Sequence, residues 1–193
     1  MVGPAEEAPA ARGEPRSDEA LVEAANRGDE AAFEALYIRH RDYVLRLAYR
    51  FTGSSHDALD VLQDAFSYLL GKFPGFTLTA RMTTFLYPVV RSLSVDVLRR
   101  RRPHLSPEQA EADLPAAPPP PADPAAVRGE LADALSALPA EQREVLLMRY
   151  VDDMSLGEIA EALDIPVGTV KSRVHYALRA LCDDERTRRY FGR

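Results

Sequence analysis

A chain of 193 residues with 46% hydrophobic and 28% charged side chains is long enough for one ordinary domain or two small ones, and has a soluble protein's composition. No run approaches the roughly 18 consecutive apolar residues needed to cross a bilayer, and the N-terminus is acidic and Pro/Ala-rich rather than basic and then apolar, so a cytoplasmic protein without a membrane partner is expected. The lone Cys182 excludes an internal disulfide framework and cannot by itself build a zinc site.

The net charge of −6 conceals a segregation: residues 1–30 carry −5, residues 31–103 carry +5, residues 104–127 carry −4 and residues 128–193 carry −2. A basic block of this kind suits a surface that meets a polyanion, although the whole chain is too acidic to bind nucleic acid indiscriminately.

Residues 1–16 hold too little apolar content to offset the entropy of ordering them, and read as a disordered acidic tail. A first unit is expected over 17–103. Asp29 caps a helix in which Phe33, Leu36, Tyr37, His40, Val44, Leu47, Ala48 and Phe51 recur at helical spacing, ended by Gly53. His40 on that stripe reads as a core histidine. Ser54-Ser55-His56-Asp57 matches a capping pattern and opens a second helix with an apolar stripe of Leu59, Leu62, Phe66, Leu69 and Leu70. Its other face shows Asp57, Asp60 and Asp64. A loop from Phe73 to Met82 leads to a third helix that closes on Arg99 to Arg102; Pro88 has no N–H to give, so this helix is expected to begin no earlier than about Phe85, or to be kinked.

Residues 104–123, with a run of four prolines and neither Lys nor Arg, read as an extended, semi-rigid acidic linker between two folded units. The second unit is expected over 124–182, followed by a short tail over 183–193. Asp123-Pro124 supplies a cap for a helix carrying Val127, Leu131, Leu135 and Leu138. A helix from Ala140 to Val151 buries Val145, Leu146, Met148 and either Leu147 or Tyr150. Ser155 to Glu158 forms a second capping box, opening the short helix Leu156–Leu163 before a turn at Asp164-Ile165-Pro166. No alternating strand pattern of useful length appears, so the fold class is all-α, in two small helical domains.

On the last helix Val170, Val174, Ala177, Leu178 and Leu181 fall on one face, at about 100° per residue. Thr169, Ser172, His175, Tyr176 and Arg179 take the opposite face, flanked by Lys171 and Arg173. From Ile165 to Leu181 there are three cations and no anion. A short capped helix, a tight turn, small Ala160 at the crossing and an acid-free second helix point to a helix-turn-helix rather than a helical hairpin with solvated charges.

Pro139 to Val151, Ser155-Leu156-Gly157-Glu158-Ile159-Ala160 and Ile165 to Arg173 resemble the C-terminal DNA-binding region of bacterial sigma factors of the extracytoplasmic-function group. Asp57 to Phe66, and Phe85 through Arg102, are similar to that family's other region, so the resemblance covers both expected domains in order. It implies a subunit that binds core RNA polymerase, places it on double-stranded promoter DNA and helps melt it. It further implies that Asp57, Asp60, Leu62, Gln63, Asp64 and Phe66 dock on the polymerase. Phe76, Arg81, Phe85, Arg91, Ser92, Arg99, Arg100, Arg101 and Arg102 would take the minus-ten element, with Tyr87 a further stacking candidate unless it is core. Thr169, Lys171, Ser172, Arg173, His175, Tyr176 and Arg179 would read the minus-thirty-five element. Aromatic faces and cations are what capture of a single strand needs. An anti-sigma protein is a further candidate partner; no cofactor is implied.

Three departures bear on melting: Phe85 stands where the family usually has Trp, Ser92 where it has Asn, and Pro88 replaces an ordinary helix residue. Asp164 replaces a turn glycine, a mild change because Asp tolerates the left-handed region better than most residues. A rival reading is a regulator that binds an operator as a dimer without polymerase, against which the pattern from Asp57 to Phe66 counts. An enzyme is not expected: His40, His56, His104 and His175 are scattered, and Cys182 has no obvious His partner.

Overall fold

The computed structural model describes residues 16–101, 125–185 and 187–188, the first four residues of the second stretch as backbone only. The expected N-terminal tail before Arg16, Arg102, the linker, the Asp123-Pro124 cap, the Val127 side chain and most of the C-terminal tail lie outside the described residues. Every element among the described residues is a helix.

Helix α1 (Asp18–Asn26) is absent from the sequence expectations. Ser17 caps it, its Oγ accepting from the Ala20 N–H at 3.3 Å, and Leu21, Val22 and Ala24 are buried. Helix α2 (Glu30–Thr52) starts where Asp29 accepts from the Ala32 N–H at 3.2 Å and stops at Gly53, whose φ of 65° is in the left-handed region glycine favours. Helix α3 (Ser55–Leu70) begins at Ser54 and buries Ala58, Val61, Leu62, Ala65, Phe66 and Leu69. Helix α4 (Met82–Arg101) departs from expectation by starting three residues before Phe85 and running through Pro88. The first four N–H groups of any helix lack an intrahelical acceptor. Pro88 lies beyond that turn and so forfeits one bond, while buried Met82, Leu86, Tyr87 and Val90 retain their packing.

Helix α2 is the axis of the first half, packing against α1, α3 and α4. His40 Nε2 lies 2.8 Å from Asp18 Oδ2, and Arg39 Nη1 donates to Asp18 Oδ1 at 2.6 Å, so the core histidine ties α2 to α1. Burial alone would raise the Asp18 carboxyl; the bonds from His40 and Arg39 outweigh it and hold the group below its usual range.

The second half comprises α5 (Ala125–Ala137), α6 (Ala140–Tyr150), α7 (Leu156–Leu163) and α8 (Val167–Asp183). Ala134 of α5 and Leu138 just after it pack with Leu146, Ala177 and Leu181. On α6 it is Leu147 that faces inward in part, because Tyr150 is 64% exposed. Val145, Met148, Met154, Ile159, Ala160 and Val170 belong to the same buried cluster as the core of the first half. The two halves are in contact: α7 packs on α4, and the apolar interior is continuous from one half to the other.

Candidate nucleic-acid and polymerase interfaces

The turn into α8 works as the sequence requires. Asp164 adopts φ 52° and ψ 47°, and the Ile165 N–H returns to the Ala160 carbonyl at 3.0 Å. The capping box of α7 is complete, with Glu158 Oε2 accepting from the Ser155 N–H at 2.7 Å and Ser155 Oγ from the Glu158 N–H at 3.2 Å. Burial works against ionisation of Glu158, but Ser155 and Arg81 outweigh it and hold the carboxyl below its usual range.

Helix α8 then divides as its wheel demands. Val170, Ala177 and Leu181 are buried; Lys171, Ser172, His175, Tyr176 and Arg179 are exposed; Thr169 and Arg173 are half-buried. Ser172 Oγ donates to the Thr169 carbonyl at 2.9 Å, Arg173 Nη2 donates to Glu141 Oε2 at 2.5 Å, and Arg179 Nε lies 3.9 Å from Asp183 Oδ2. The outward face offers cationic and hydroxyl donors and, at Tyr176, an exposed aromatic, which are the groups that contact phosphates and base edges.

The second cluster lies on the loop over residues 73–81 and on α4. Aromatic rings run from Phe33 through Phe73 and Phe76 to Phe85, with centroids 5.9, 5.6 and 4.8 Å apart, and Tyr68 stacks on Phe85 at 6.5 Å. Phe85 and Ser92 line an open cleft of about 520 Å³ with Tyr68, Thr84, Pro88 and Val89. Arg81 and Arg91 both form ion pairs with the second half. Arg99 pairs with Asp96 at 3.3 Å, and Arg100 is exposed. Tyr87 is core, the other alternative the sequence left open: it is 1% exposed, packed edge-on against Phe51, and its hydroxyl donates to Glu144 Oε1 at 2.9 Å, so it offers no face to a base.

The sequence reading missed Asn26. From the end of α1 its Oδ1 accepts from the Gly75 and Phe76 N–H groups at 2.7 and 3.0 Å, while its Nδ2 donates to the Phe76 carbonyl at 2.7 Å. An asparagine that closes a helix is unremarkable in sequence; only the fold brings it to a loop about fifty residues on. Asn26→Ala should cost about 1–3 kcal/mol of loop order. Hydrogen exchange should show the Gly75 and Phe76 amides losing protection while those of α2 and α3 hold.

The third surface lies between α2 and α3. Leu59 and Leu70, expected on the apolar stripe, are 53% and 54% exposed. They flank an open groove of about 460 Å³ lined also by Phe33, Tyr37, Leu62 and Phe66. Gln63 and Asp60 are exposed beside it and Asp64 is half-buried. Leu62 and Phe66 serve both core and groove wall. Asp57 is corrected: as the third residue of α3 it is buried, with Oδ2 2.9 Å from Arg101 Nη1 in an ion pair without hydrogen-bond alignment. It does not share the exposed face of Asp60 and Asp64.

Two family models match the chain, sigma-70 region 2 over residues 36–104 and sigma-70, region 4 over residues 128–181. The chain is 32% identical over 179 residues to the ECF RNA polymerase sigma factor SigW of Bacillus subtilis, covering 83% of this chain and 92% of that protein. It belongs to the extracytoplasmic-function sigma factors. It is also 35% identical over 172 residues to SigL of Mycobacterium tuberculosis, covering 84% of this chain and 93% of that one. The solved complex of CnrH with the cytosolic domain of CnrY superposes with a TM-score of 0.61 at 23% identity, covering 84% of this chain and 93% of that chain, which shows the shared fold.

In this sigma factor the α8 residues that face outward fall inside the region 4 match; most of the lining of the cleft and of the groove falls inside the region 2 match, apart from Glu161 and Ala162 of the cleft and Phe33 of the groove. Matches to both regions in one chain disfavour the operator-binding regulator. Among the described residues no cluster of three or more His, Cys, Asp or Glu could hold a metal ion, and no helix is long and apolar enough to cross a membrane.

Proposed function

We infer that the unit over 17–103 docks on core RNA polymerase through the α2–α3 groove and takes the minus-ten element on the Phe76–Phe85 cleft. The unit over 124–182 reads the minus-thirty-five element with the outward face of α8. Both promoter duplex and melted strand are ligands, and the bond-forming chemistry belongs to the polymerase, so the chain itself is not an enzyme. Work on chromosomal DNA places it in the cytoplasm. An anti-sigma protein is a candidate partner: a solved structure of similar fold holds the sigma factor RpoE of Bartonella quintana in complex with the anti-sigma factor NepR.

The observation that carries this reading is the division of α8 into a buried apolar face and an exposed cationic one, joined by a left-handed Asp164 to a capped α7. Run-off transcription with purified bacterial core polymerase and a genomic promoter library tests it. Promoter-specific transcripts should appear only when the protein is added. Tight DNA binding by the protein alone, with no such transcripts, would return the reading to an operator-binding regulator.

Lys171→Ala and Arg179→Ala test the residues, since both side chains are exposed and neither supports the core. Loss of a base contact is expected to weaken recognition by about 1–3 kcal/mol at one promoter position, and loss of a phosphate contact to lower the salt slope by about one. Promoter affinity as a function of salt, measured on holoenzyme, separates the two. Unchanged affinity in both variants would sink the assignment of this face.

A further inference from the structure

The last turn of α4 lies against the first turn of α3, and one guanidinium joins the two. Buried Val97 places Arg101, one turn further on, over the side of α4 that packs inward. Arg101 Nη1 lies 2.9 Å from Asp57 Oδ2, and its Nη2 donates to Ser54 Oγ at 3.4 Å. The same Ser54 oxygen accepts from the Asp57 N–H at 3.4 Å, so the cap of α3 and the end of α4 share one hydroxyl. The Asp57 side chain is 7% exposed, whereas that of Arg101 is 50% exposed. Arg99 is paired too, but only with half-exposed Asp96 of its own helix, where solvent screens the pair.

The resemblance puts Asp57 on the polymerase, but a carboxylate this deeply covered meets no partner's surface. What it reaches is a cation of the arginine run. A guanidinium is a planar fork with five N–H donors, so one part of it can rest on a carboxylate and a hydroxyl while the remainder stays open to a second acceptor. An arginine left loose at a helix end gives up side-chain freedom when it settles on a phosphate. One already held by a charge-assisted contact gives up less, and it presents its open donors in one direction.

We propose that Asp57 is a positioning residue for promoter binding: from the first turn of α3, and with Ser54, it holds the Arg101 guanidinium in the orientation that meets a backbone phosphate of the promoter duplex. The proposal rests on the assignment of the α4 arginines to the minus-ten element. Asp57 then touches neither DNA nor polymerase, and acts only through Arg101. Arg100, exposed one residue earlier, contributes charge to the same backbone without such a support. Phosphate contacts of the held kind set the register of a protein on its duplex.

The test uses holoenzyme assembled from the full chain and core polymerase, and a duplex bearing a promoter recovered by run-off transcription. Affinity is measured as a function of salt for Asp57→Asn, Arg100→Ala and Arg101→Ala, and for Asp57→Asn combined with each arginine change. Arg101→Ala should lower the salt slope by about one and weaken binding about fivefold near physiological salt. Asp57→Asn alone should weaken binding in the same sense, yet change the affinity of Arg101→Ala by less than about twofold; with Arg100→Ala the two losses should multiply. Affinity of Asp57→Asn for core polymerase should equal that of wild type. Arg101→Lys keeps the charge but lacks the fork, and should recover less than half of the loss in Arg101→Ala. It alters only an exposed helix end, so it decides the matter even where Asp57→Asn fails to fold. Tighter promoter binding in Asp57→Asn would make the carboxylate a competitor of the phosphate, and weaker core binding would return it to the polymerase. Multiplying losses in Asp57→Asn and Arg101→Ala, or full affinity in Arg101→Lys, would remove the positioning role. Each of these overturns the proposal and leaves the minus-ten assignment standing, whereas a wild-type slope in both arginine variants overturns that assignment and the proposal with it.

Discussion

Replacing Leu59 by arginine is expected to abolish promoter-directed transcription while leaving the protein folded. Leu59 and Leu70 stand 53% and 54% exposed on either side of a groove whose wall includes Leu62 and Phe66, the latter two 8% and 5% exposed. Single exposed leucines need no explanation, but two flanking an open apolar groove form a patch that a partner helix can fill. Truncating an anchor at the centre of such an interface commonly costs about 2 kcal/mol or more. A guanidinium in the same place adds the penalty of a desolvated, unpaired charge, so the affinity for core polymerase should fall by at least about thirtyfold. Anisotropy titration of labelled protein with core enzyme measures that loss, and thermal unfolding checks that the fold survives. Wild-type affinity in Leu59→Arg would move the polymerase contact elsewhere. Leu62→Ala would be a poorer probe, because its side chain is also core and the variant would mix binding with stability.

The features legible in sequence are those written in local chemistry. Asp29 and Gly53 bound α2 because each satisfies orphan backbone groups at a helix end, a requirement that no tertiary contact alters. The two faces of α8 follow from its period, and the tolerance of Asp for a left-handed turn was visible at Asp164. Helix α1 was passed over because it has only nine residues, sits next to a compositionally acidic tail and earns its order from packing on α2 rather than from its own length. Pro88 misled for a related reason: the cost of one missing bond is local, and the buried face of α4 outweighs it.

The site was legible in residue type but not in partnership. Asp57 sits on the same helix as Asp60 and Asp64, yet its position in the first turn folds it under Arg101. Tyr87 has a stacking residue's chemistry, but a buried aromatic with a polar tip seeks a partner and finds Glu144. Burial pushes the Tyr87 hydroxyl up and the Glu144 carboxylate adds to it, so it stays a donor. Arg50 Nη2 donates to Asp152 Oδ2 at 2.6 Å although the two are 102 positions apart, and no periodicity links residues on different halves of a chain. Charge segregation did foretell that basic and acidic surfaces exist. It could not say that they face each other.

Val170→Asp is expected to unfold the helix-turn-helix while the neighbouring Lys171→Asp leaves it intact. Val170 is 0% exposed, one residue before exposed Lys171, and belongs to a buried set with Val145, Met148, Met154, Ile159 and Ala160. A carboxylate placed in that apolar set loses its water, a penalty of several kcal/mol against a total stability of about 5–15 kcal/mol for an entire domain. The α1–α4 bundle keeps its own interior, built on Leu36, Val44, Leu47, Val61, Leu69 and Leu86, so unfolding should spare it. Hydrogen exchange should then show amides of α6 to α8 losing protection while those of α2 and α3 hold. Burial raises the introduced carboxyl above its unfolded value near 3.9, so the penalty is present at neutral pH and fades as pH falls through the raised value toward the unfolded one. Relative to wild type, Val170→Asp should therefore recover part of its protection near pH 4, which a variant that merely overfilled the core would not do. Loss of protection in both variants would mean that α8 is held by its outer face, and would reverse the assignment of which side meets DNA.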